Sequence, residues 1–221
     1  MTVGRVQKRQ IRTRARLLQA AYELMSEQGV DDTTIQQVTT KADVGFGTFY
    51  SYFDSKDAIA EQVLDCVIHN LGLRNRAANA GVEDAVSVIA NSVRLTAREM
   101  RSNPMWRWWL KRTDLMVRRM NLGFRPFGLQ DMQAANDKGL LNLPDDNVEV
   151  SWNYLIWLLA GTITDIVEGI CPPEAETTMA EAIMRLMGVD NAHAARAAHA
   201  PLPVYPAIKL DFGFRLELSV T

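Results

Sequence analysis

The sequence predicts an all-α protein: a three-helix N-terminal head, a larger helical body, and a C-terminal tail with a candidate β-strand. Three observations predict this class. Apolar residues recur at spacings of three and four through residues 11–188. Each such stretch begins or ends at a capping residue, a Gly or a Pro, and no strand-like alternation occurs before residue 200. With 221 residues, 48% of them hydrophobic and 23% charged, the chain is globular and has room for one large domain or two modest ones.

The head begins with a helix predicted over residues 11–28, which Gly29 ends. Residues 33–56 follow and predict two short helices joined by a tight turn. Thr33 or Thr34 begins the first short helix, because each has a Gln three residues later and can form a capping box with it. Asp43 lies at the turn, where Asp tolerates a left-handed backbone.

The second short helix is predicted over residues 45–53, and Asp54 is expected to cap a third helix that continues to residue 73. Lys56 lies in the first turn of that third helix, where it opposes the helix dipole. A phosphate oxygen at the same position would compensate for this cost. Two helices joined by such a turn are typical of the helix-turn-helix, whose second helix enters the major groove of DNA.

These residues resemble the DNA-binding head of the TetR family of bacterial transcriptional regulators. The resemblance covers residues 11–70, and the matching positions are Thr34, Val38-Thr39, 42–45, 47–50, Tyr52-Phe53, Lys56 and Ile59. Three positions depart from the family pattern: Thr39 replaces a small Ala, Asp43 a turn Gly, and Gly45 a Ser. The last change removes a hydroxyl that would cap the second short helix.

The outward side chains of the two short helices form the predicted DNA-binding surface. Phe46, Thr48 and Ser51 are expected to reach base edges or thymine methyl groups, with Gln36 beside them. Phosphate contacts are expected from Thr34, Tyr50, Tyr52 and Lys56, and the surface also includes Thr33, Gly45 and Gly47. Phe49 and Phe53 are predicted to be structural.

The charge distribution fits a protein that touches DNA at one end. The formal net charge is only −2, but residues 1–22 contain Arg5, Lys8, Arg9, Arg12, Arg14 and Arg16 and no acidic residue. Residues 126–190 contain eleven acidic residues against Lys138 and Arg185. We interpret residues 1–10 as a basic arm for phosphates; a solvated, flexible terminus is the alternative.

The body is predicted over residues 82–188, after a polar boundary at residues 74–81 that ends in Gly. Its helices are expected at 82–101, 105–120, 129–136, 148–169 and from Pro173 or Glu174 to Gly188, with a break at 123–128. The resemblance implies that the last two helices form a four-helix bundle with a second copy of the chain. The residues expected in this homodimer interface are Leu155, Ile163, Ile166, Met179, Ile183 and Met187. An ordinary intrachain core is the alternative.

The segment 105–120 combines tryptophans with basic residues. Between Arg101 and Arg125 there are seven basic residues against Asp114 alone. One interpretation is a core helix with an exposed basic face. The sharper hypothesis is a pocket for a large apolar ligand with an anionic end. Its predicted lining is Trp106, Trp109, Leu110, Thr113, Phe127, Trp152, Ile156 and Leu159.

Residues 189–221 are predicted to be an extended tail, because an Ala- and His-rich stretch is followed by Pro201, Pro203 and Pro206. Apolar and polar residues alternate at its end, which predicts a half-buried strand at 209–220. One strand cannot satisfy its own backbone, so we expect it to pair with another chain's tail or an exposed sheet edge.

No catalytic or metal site and no cofactor are expected, because His69, His193 and His199 belong to no recognisable motif. Cys66 and Cys171 are expected to be free thiols of a reducing cytoplasm; a redox-sensing disulfide is the alternative. The uncharged window 150–164 is too short for a membrane helix. No apolar stretch of a signal peptide follows the basic start, so a cytoplasmic location is expected.

Three function classes follow from the sequence. The first is a dimeric repressor that binds palindromic double-stranded DNA and is released by a hydrophobic small molecule. The second is an activator or a regulator without a small ligand. The third is a helical enzyme whose pocket residues are scattered through the sequence. Specific binding to a palindrome separates the first two from the third, and release by a metabolite separates the first from the second.

Overall fold

The structure, a computed structural model, describes residues 5–214; for Arg5 it describes the backbone alone. Within this range it contains ten α-helices, one short 3-10 helix at Pro144–Asp146 and no strand. The predicted all-α class is therefore confirmed. The helices are α1 Arg5–Gln28, α2 Ile35–Lys41, α3 Phe46–Phe49, α4 Lys56–Ala78, α5 Ala85–Ser102, α6 Trp106–Leu110, α7 Thr113–Asp137, α8 Val148–Val167, α9 Ala175–Leu186 and α10 Asn191–His199.

The chain forms two compact units. Within the described range, the first contains residues 5–70, 103–108 and 209–214, and the second contains Leu71–Ser102 and Trp109–Ile208. The division falls inside α4, whereas the sequence placed a boundary at residues 74–81. The polar residues there are not a linker, because they belong to the buried contact between α4 and α5. Asn75 donates to Thr96 Oγ1 at 2.9 Å, and Asn91 donates to Asn79 Oδ1 at 3.0 Å.

The first unit has a core of apolar side chains from α1, α3 and the first half of α4. Leu17, Leu18, Phe49, Ile59 and Leu64 are fully buried there. Helix α1 begins at Arg5 and not at residue 11, so the described part of the expected basic arm is helical.

The second unit packs α5, α7, α8, α9 and α10 around a common core. The sequence predicted a helix break at residues 123–128, but α7 continues through Pro126. Pro126 is exposed, while Phe124 and Phe127 beside it are buried. Burial of these rings offsets the one backbone hydrogen bond that a proline removes. The observed break lies earlier, between α6 and α7.

Helix α10 replaces the first part of the expected extended tail. The Asp190 side chain caps it by accepting from the backbone N–H groups of Ala192 and His193, at 3.0 and 3.1 Å. Alanine is the strongest helix former, so the Ala-rich stretch favours a helix once a cap is present. Ala194 and Ala197 are buried, and α10 packs on α9 and α5.

The expected strand at 209–220 does not form in its described part, because residues 209–214 have no regular secondary structure. Residues 215–220 of that prediction lie outside the described range. The apolar side chains of this segment pack on helices of the first unit. Phe212 contacts Tyr22 with ring centroids 5.7 Å apart, and Phe214 stacks on His69 at 3.9 Å. Burial against helices therefore accounts for the alternation at 212 and 214 without a partner strand.

Two glycines of the second unit should respond differently to the same substitution. Gly139 and Gly188 both have a left-handed backbone, with φ of 67° and 73°. A Cβ on Gly139 would meet open space, whereas one on Gly188 would collide with the backbone carbonyl of Asn142. We expect Gly139→Ala to lower the free energy of unfolding by about 1 kcal/mol. Gly188→Ala should cost clearly more, because the loop at Asn142 must also move.

Urea unfolding of both variants and the parent chain measures this difference. Equal destabilisation by the two substitutions would contradict the close contact at Gly188.

Candidate nucleic-acid interface and ligand cavity

Helix α2 is set by a capping box at its start. The Gln37 backbone N–H donates to Thr34 Oγ1 at 3.2 Å, and the Thr34 N–H donates to Gln37 Oε1 at 2.8 Å. Thr34, not Thr33, is therefore the cap. Thr33 is fully buried and donates to the Gly29 carbonyl at 2.7 Å, so its hydroxyl holds the preceding loop.

The turn between α2 and α3 depends on Asp43, which has φ of 51° as its position in the sequence predicts. Arg16 of α1 donates to the Asp43 carbonyl at 3.0 Å and to its carboxylate at 3.1 Å. Lys41 also bridges to Glu23 of α1, and this hydrogen bond lowers the pKa of Glu23. Both ion pairs are exposed, so they orient the turn on α1 more than they stabilise it.

Helix α3 is shorter than predicted and ends at Phe49, with turn residues at 50–52. Its cap, Gly45, has no side chain to accept a hydrogen bond, and Gly47 weakens the helix further. Phe46 and Tyr50 are 48% and 51% exposed, with their rings edge to face at 5.7 Å. Two large rings in water on one short helix form a surface suited to contact with another molecule.

The other predicted DNA-binding residues lie near this aromatic pair in the sequence but differ in exposure. Thr34, Gln36, Gly45, Gly47 and Ser51 are exposed, and Thr48, Tyr52 and Lys56 are half-buried. Phe49 and Phe53 are buried.

The start of α4 differs in one detail from the prediction. Ser55, not Asp54, caps the helix, because Ser55 Oγ accepts from the Ala58 N–H at 3.0 Å. Lys56 Nζ donates to the Asp31 carbonyl at 2.8 Å, which holds the ammonium group beside the loop before α2.

The basic residues of α1 separate into two groups. Lys8, Arg9 and Arg12 are exposed. Arg14 is buried, donates to Gln62 and lies 5.8 Å from the centroid of the Phe53 ring. Arg14 is therefore part of the core of the first unit.

The second unit contains a cavity of about 50 Å³ between α4, α5, α7 and α8. Glycines bring aromatic rings close to neighbouring helices at its wall. A Cβ on Gly72 would overlap the Phe127 ring, and one on Gly128 would overlap the Trp152 ring. The lining residues are Gly72, Asn75, Arg76, Ile89, Ser92, Val93, Thr96, Phe124, Phe127, Gly128, Asp131, Trp152, Leu155, Ile156 and Leu159.

A few polar groups interrupt this apolar wall. Asn75 donates to Thr96 Oγ1 at 2.9 Å and to the Ser92 carbonyl at 3.3 Å, while its Oδ1 has no partner among the described residues. Burial raises the pKa of Asp131 from 3.8 to about 6, and the charge of Arg76 opposes this shift. Apolar walls with a few polar groups are the usual composition of a small-molecule site.

Four of the residues predicted to line a ligand pocket border this cavity: Phe127, Trp152, Ile156 and Leu159. Trp106, Trp109, Leu110 and Thr113 are not among its lining residues; the first three are buried elsewhere and Thr113 is exposed. Sequence spacing missed Gly72, Asn75 and Asp131, because α4 and α7 contribute them from distant parts of the chain. Asn75 lies in the polar stretch 74–81, which the sequence predicted to be a domain boundary.

The residues predicted to form the dimer interface face the chain's own core. Leu155, Ile163, Met179, Ile183 and Met187 are buried, and Ile166 is half-buried. A different side of α8 is exposed, and we call it the α8 face; it consists of Val150, Tyr154, Trp157 and Leu158. Leu186 of α9 is also exposed.

Helix α8 is also long and apolar enough to cross a membrane by length and composition, with 39% of it buried. A single helix of this kind is weak evidence, because core helices of water-soluble proteins have the same composition. No group of three or more His, Cys, Asp or Glu residues in the described part of the chain could hold a metal ion.

Comparison with known proteins decides the family. A family model for the N-terminal domain of "bacterial regulatory proteins, tetR family" matches residues 17–63. A second model, "Tetracyclin repressor-like, C-terminal domain", matches residues 84–200, which is more than half of the chain. The chain belongs to the TetR family. The resemblance seen in the sequence is thus confirmed, and the protein is a transcriptional regulator with a helix-turn-helix DNA-binding domain.

Individual relatives agree with this assignment. The regulator UidR of Escherichia coli K12 is 26% identical over 168 residues, which cover 70% of this chain and 81% of UidR. YvdT of Bacillus subtilis is 42% identical over 50 residues, or 23% of this chain and 26% of YvdT. The crystal structure of RolR with its ligand resorcinol matches with a TM-score of 0.79 at 25% identity. That match covers 91% of this TetR-family chain and all of RolR.

The raised pKa of Asp131 predicts a pH-dependent contribution to stability. An acid whose pKa is higher in the folded state stabilises that state fully below its unfolded pKa, here near 3.8. The contribution is lost as the pH rises through the folded value of about 6. The parent chain should therefore lose stability relative to Asp131→Asn across this window.

Urea unfolding between about pH 4 and pH 7 measures this difference. Asp137→Asn, an exposed change on the same helix, is the matched control and should show no such trend. A constant difference between parent and Asp131→Asn across the window would rule out a raised pKa.

Proposed function

We propose that this TetR-family chain is a ligand-responsive repressor that binds a palindromic operator as a homodimer in the bacterial cytoplasm. A small, largely apolar molecule in the cavity would release the DNA. The observation that carries this proposal is the apolar cavity with polar groups at its wall, in a chain whose other unit has a helix-turn-helix. Helix α4 contains both Lys56 and the cavity residues Gly72, Asn75 and Arg76. A ligand that favours one position of α4 would shift the population away from the DNA-binding state.

Base recognition is assigned to the exposed side of α3. Phe46 and its neighbour Tyr50 offer apolar contact to thymine methyl groups and sugars, and Thr48 and Ser51 offer hydroxyls. Gly45 and Gly47, without side chains, let the backbone of α3 approach a phosphate closely. Gln36 would contact a flanking base, and Thr34, Tyr52 and Lys56 would contact phosphates. Buried Thr33 supports the surface without touching DNA.

Lys56 should contribute to affinity without contributing to sequence preference. Lys56→Ala removes the ammonium group at the start of α4 and with it one phosphate contact. We expect weaker binding to every DNA sequence and a salt dependence reduced by about one unit of slope. Fluorescence anisotropy with operator and scrambled DNA at several salt concentrations measures both effects.

Lys138→Ala is the control, because it removes the same charge from the other unit. An altered preference between the two DNA sequences in Lys56→Ala would show that Lys56 contacts bases.

The dimer interface is assigned to the α8 face, in place of the buried residues that the sequence indicated. Its Trp157 is 56% exposed, and Tyr154 and Leu158 flank it on the same side of the helix. Large exposed apolar side chains that lie together mark protein-protein contacts. A twofold axis at this face would place two helix-turn-helix units for the two half-sites of a palindrome.

Trp157→Glu should therefore convert the dimer to monomers and weaken operator binding. A charge at the centre of an interface must be desolvated, but the same charge on a monomer surface remains in water. Sedimentation equilibrium measures the oligomeric state. Val204→Glu, at a position that is 90% exposed, is the control and should leave the dimer intact. A dimeric Trp157→Glu would exclude the α8 face as the interface.

The ligand is expected to be small, because the cavity is about 50 Å³. The complex of RolR with resorcinol supports a single-ring ligand in a chain of this fold. This cavity leaves still less room for the large apolar ligand with an anionic end that the tryptophan-rich segment suggested. Selection of bound sequences from random DNA, followed by titration of the complex with candidate ligands, tests the proposal. A protein that selects no palindrome, or that no small molecule releases, would contradict the repressor assignment.

A further inference from the structure

We propose that the effector is an uncharged, single-ring aromatic molecule with two hydrogen-bond donors, one for Asn75 and one for Asp131. This inference rests on the proposed function, because it names the ligand class of the same cavity. It follows from the acceptors that the cavity leaves unused, from the charge of its lining and from its aromatic walls.

Asn75 supplies the first acceptor. The residue is 6% exposed, and its amide orientation is fixed because Nδ2 must donate to the Ser92 carbonyl, which can only accept. Thr96 Oγ1 takes the second proton of the same nitrogen. The oxygen Oδ1 is left without a partner among the described residues. An unsatisfied buried acceptor is costly, so a ligand that donates to it binds more tightly than one of the same shape that cannot.

Asp131 supplies the second acceptor. Its carboxyl group borders the cavity, and burial and the charge of Arg76, but no hydrogen bond, set the shift of its pKa. Arg76 is the only basic residue of the lining, and its guanidinium donates to Gln130 Oε1 at 2.9 Å and lies 4.8 Å from the centroid of the Phe127 ring. The lining thus has no free cation that could pair with an anionic ligand. The carboxylate of Asp131 would repel such a ligand. A hydroxyl group meets the carboxylate as a donor.

The walls of the cavity are largely aromatic and aliphatic. Phe124, Phe127 and Trp152 offer aromatic faces and edges, and Leu155, Ile156 and Leu159 complete the apolar surface. A dihydroxybenzene combines a flat apolar body with a donor at each of two positions.

The cavity is smaller than such a ring needs, so binding of the ligand must move part of the cavity wall. An engineered cavity that binds benzene has a volume of about 150 Å³, whereas this one has about 50 Å³. A ring can therefore enter only if part of the wall moves. Phe127 lies against Gly72 of α4, so its displacement acts directly on the helix that also contains Lys56. A ligand bound in this way stabilises one position of α4 over another.

Isothermal titration of the full chain with three compounds tests the ligand class. Resorcinol has two donors, 1,3-dimethoxybenzene has the same substitution pattern without a donor, and benzoate has a negative charge. We expect resorcinol to bind, and the other two to bind at least about tenfold more weakly. Equal affinity for the dimethoxy compound, tighter binding of benzoate, or no binding of resorcinol at millimolar concentration would overturn the proposal.

Two variants locate the acceptors. Asp131→Asn keeps the shape of the side chain and should weaken resorcinol binding about tenfold, because a neutral amide accepts less strongly than a carboxylate. Asp137→Asn removes the same charge from an exposed site of α7 and should bind like the parent chain. Asn75→Ala should also weaken resorcinol binding, with circular dichroism to verify folding. Unchanged binding in Asp131→Asn would overturn the assignment even if the Asn75 variant does not fold.

Operator binding, measured in parallel, distinguishes the two levels of the proposal. Resorcinol that binds with the expected preference but does not release the operator would contradict the repressor mechanism and leave the ligand class supported. A chain that binds the operator, but binds resorcinol and 1,3-dimethoxybenzene equally well, would overturn only the ligand class.

Discussion

The cavity depends on two aromatic rings that occupy the space left by two glycines. Phe127 of α7 lies against Gly72 of α4, and Trp152 of α8 lies against Gly128 of α7. Trp152 is held in place by a hydrogen bond of 3.3 Å from its Nε1 to Asn121. A methyl group at either glycine would push the ring away, although alanine is the better helix former by about 1 kcal/mol. The two glycines weaken their helices and bring the rings close enough to form the wall.

The same region contains a polar network in an otherwise apolar interior. Asn79 donates to the Asn75 carbonyl at 3.0 Å and to Ser92 Oγ at 3.1 Å, and it accepts from Asn91. Such a network fixes how α4 packs on α5, because a shifted register would leave several polar groups unpaired. Among the described residues this network leaves two buried acceptors unused, Asn91 Oδ1 and Asn75 Oδ1, and the second lies on a cavity-lining residue. A selective binding site needs groups that are held rigidly and an acceptor that is free for the ligand. The network supplies the rigidity, and Asn75 Oδ1 is the acceptor.

The sequence predicted the helical class, the capping box, the left-handed Asp43 and, to within two residues, the ends of α8 and α9, because local rules control these features. It predicted an extended tail in place of α10, because Pro201, Pro203 and Pro206 follow the Ala-rich stretch, whereas the helix depends on the cap at Asp190. It predicted a break where α7 continues, because burial of Phe124 and Phe127 overrides the local effect of Pro126. The cavity could not be found in this way: Asn75 and Asp131 come from different helices, and no spacing rule connects them. The tryptophans and basic residues of segment 105–120 predicted a pocket at a different place.

We propose the cavity between α4, α5, α7 and α8 as the effector site. A crystal structure of the chain with 4-bromoresorcinol tests it most directly, because anomalous scattering locates the bromine independently of the fitted model. We predict one strong peak in the cavity, between Phe127 and Trp152, with a hydroxyl oxygen within hydrogen-bond distance of Asn75 or Asp131. A peak beside Trp106 and Trp109, or no peak in the cavity at a saturating concentration, would contradict the claim.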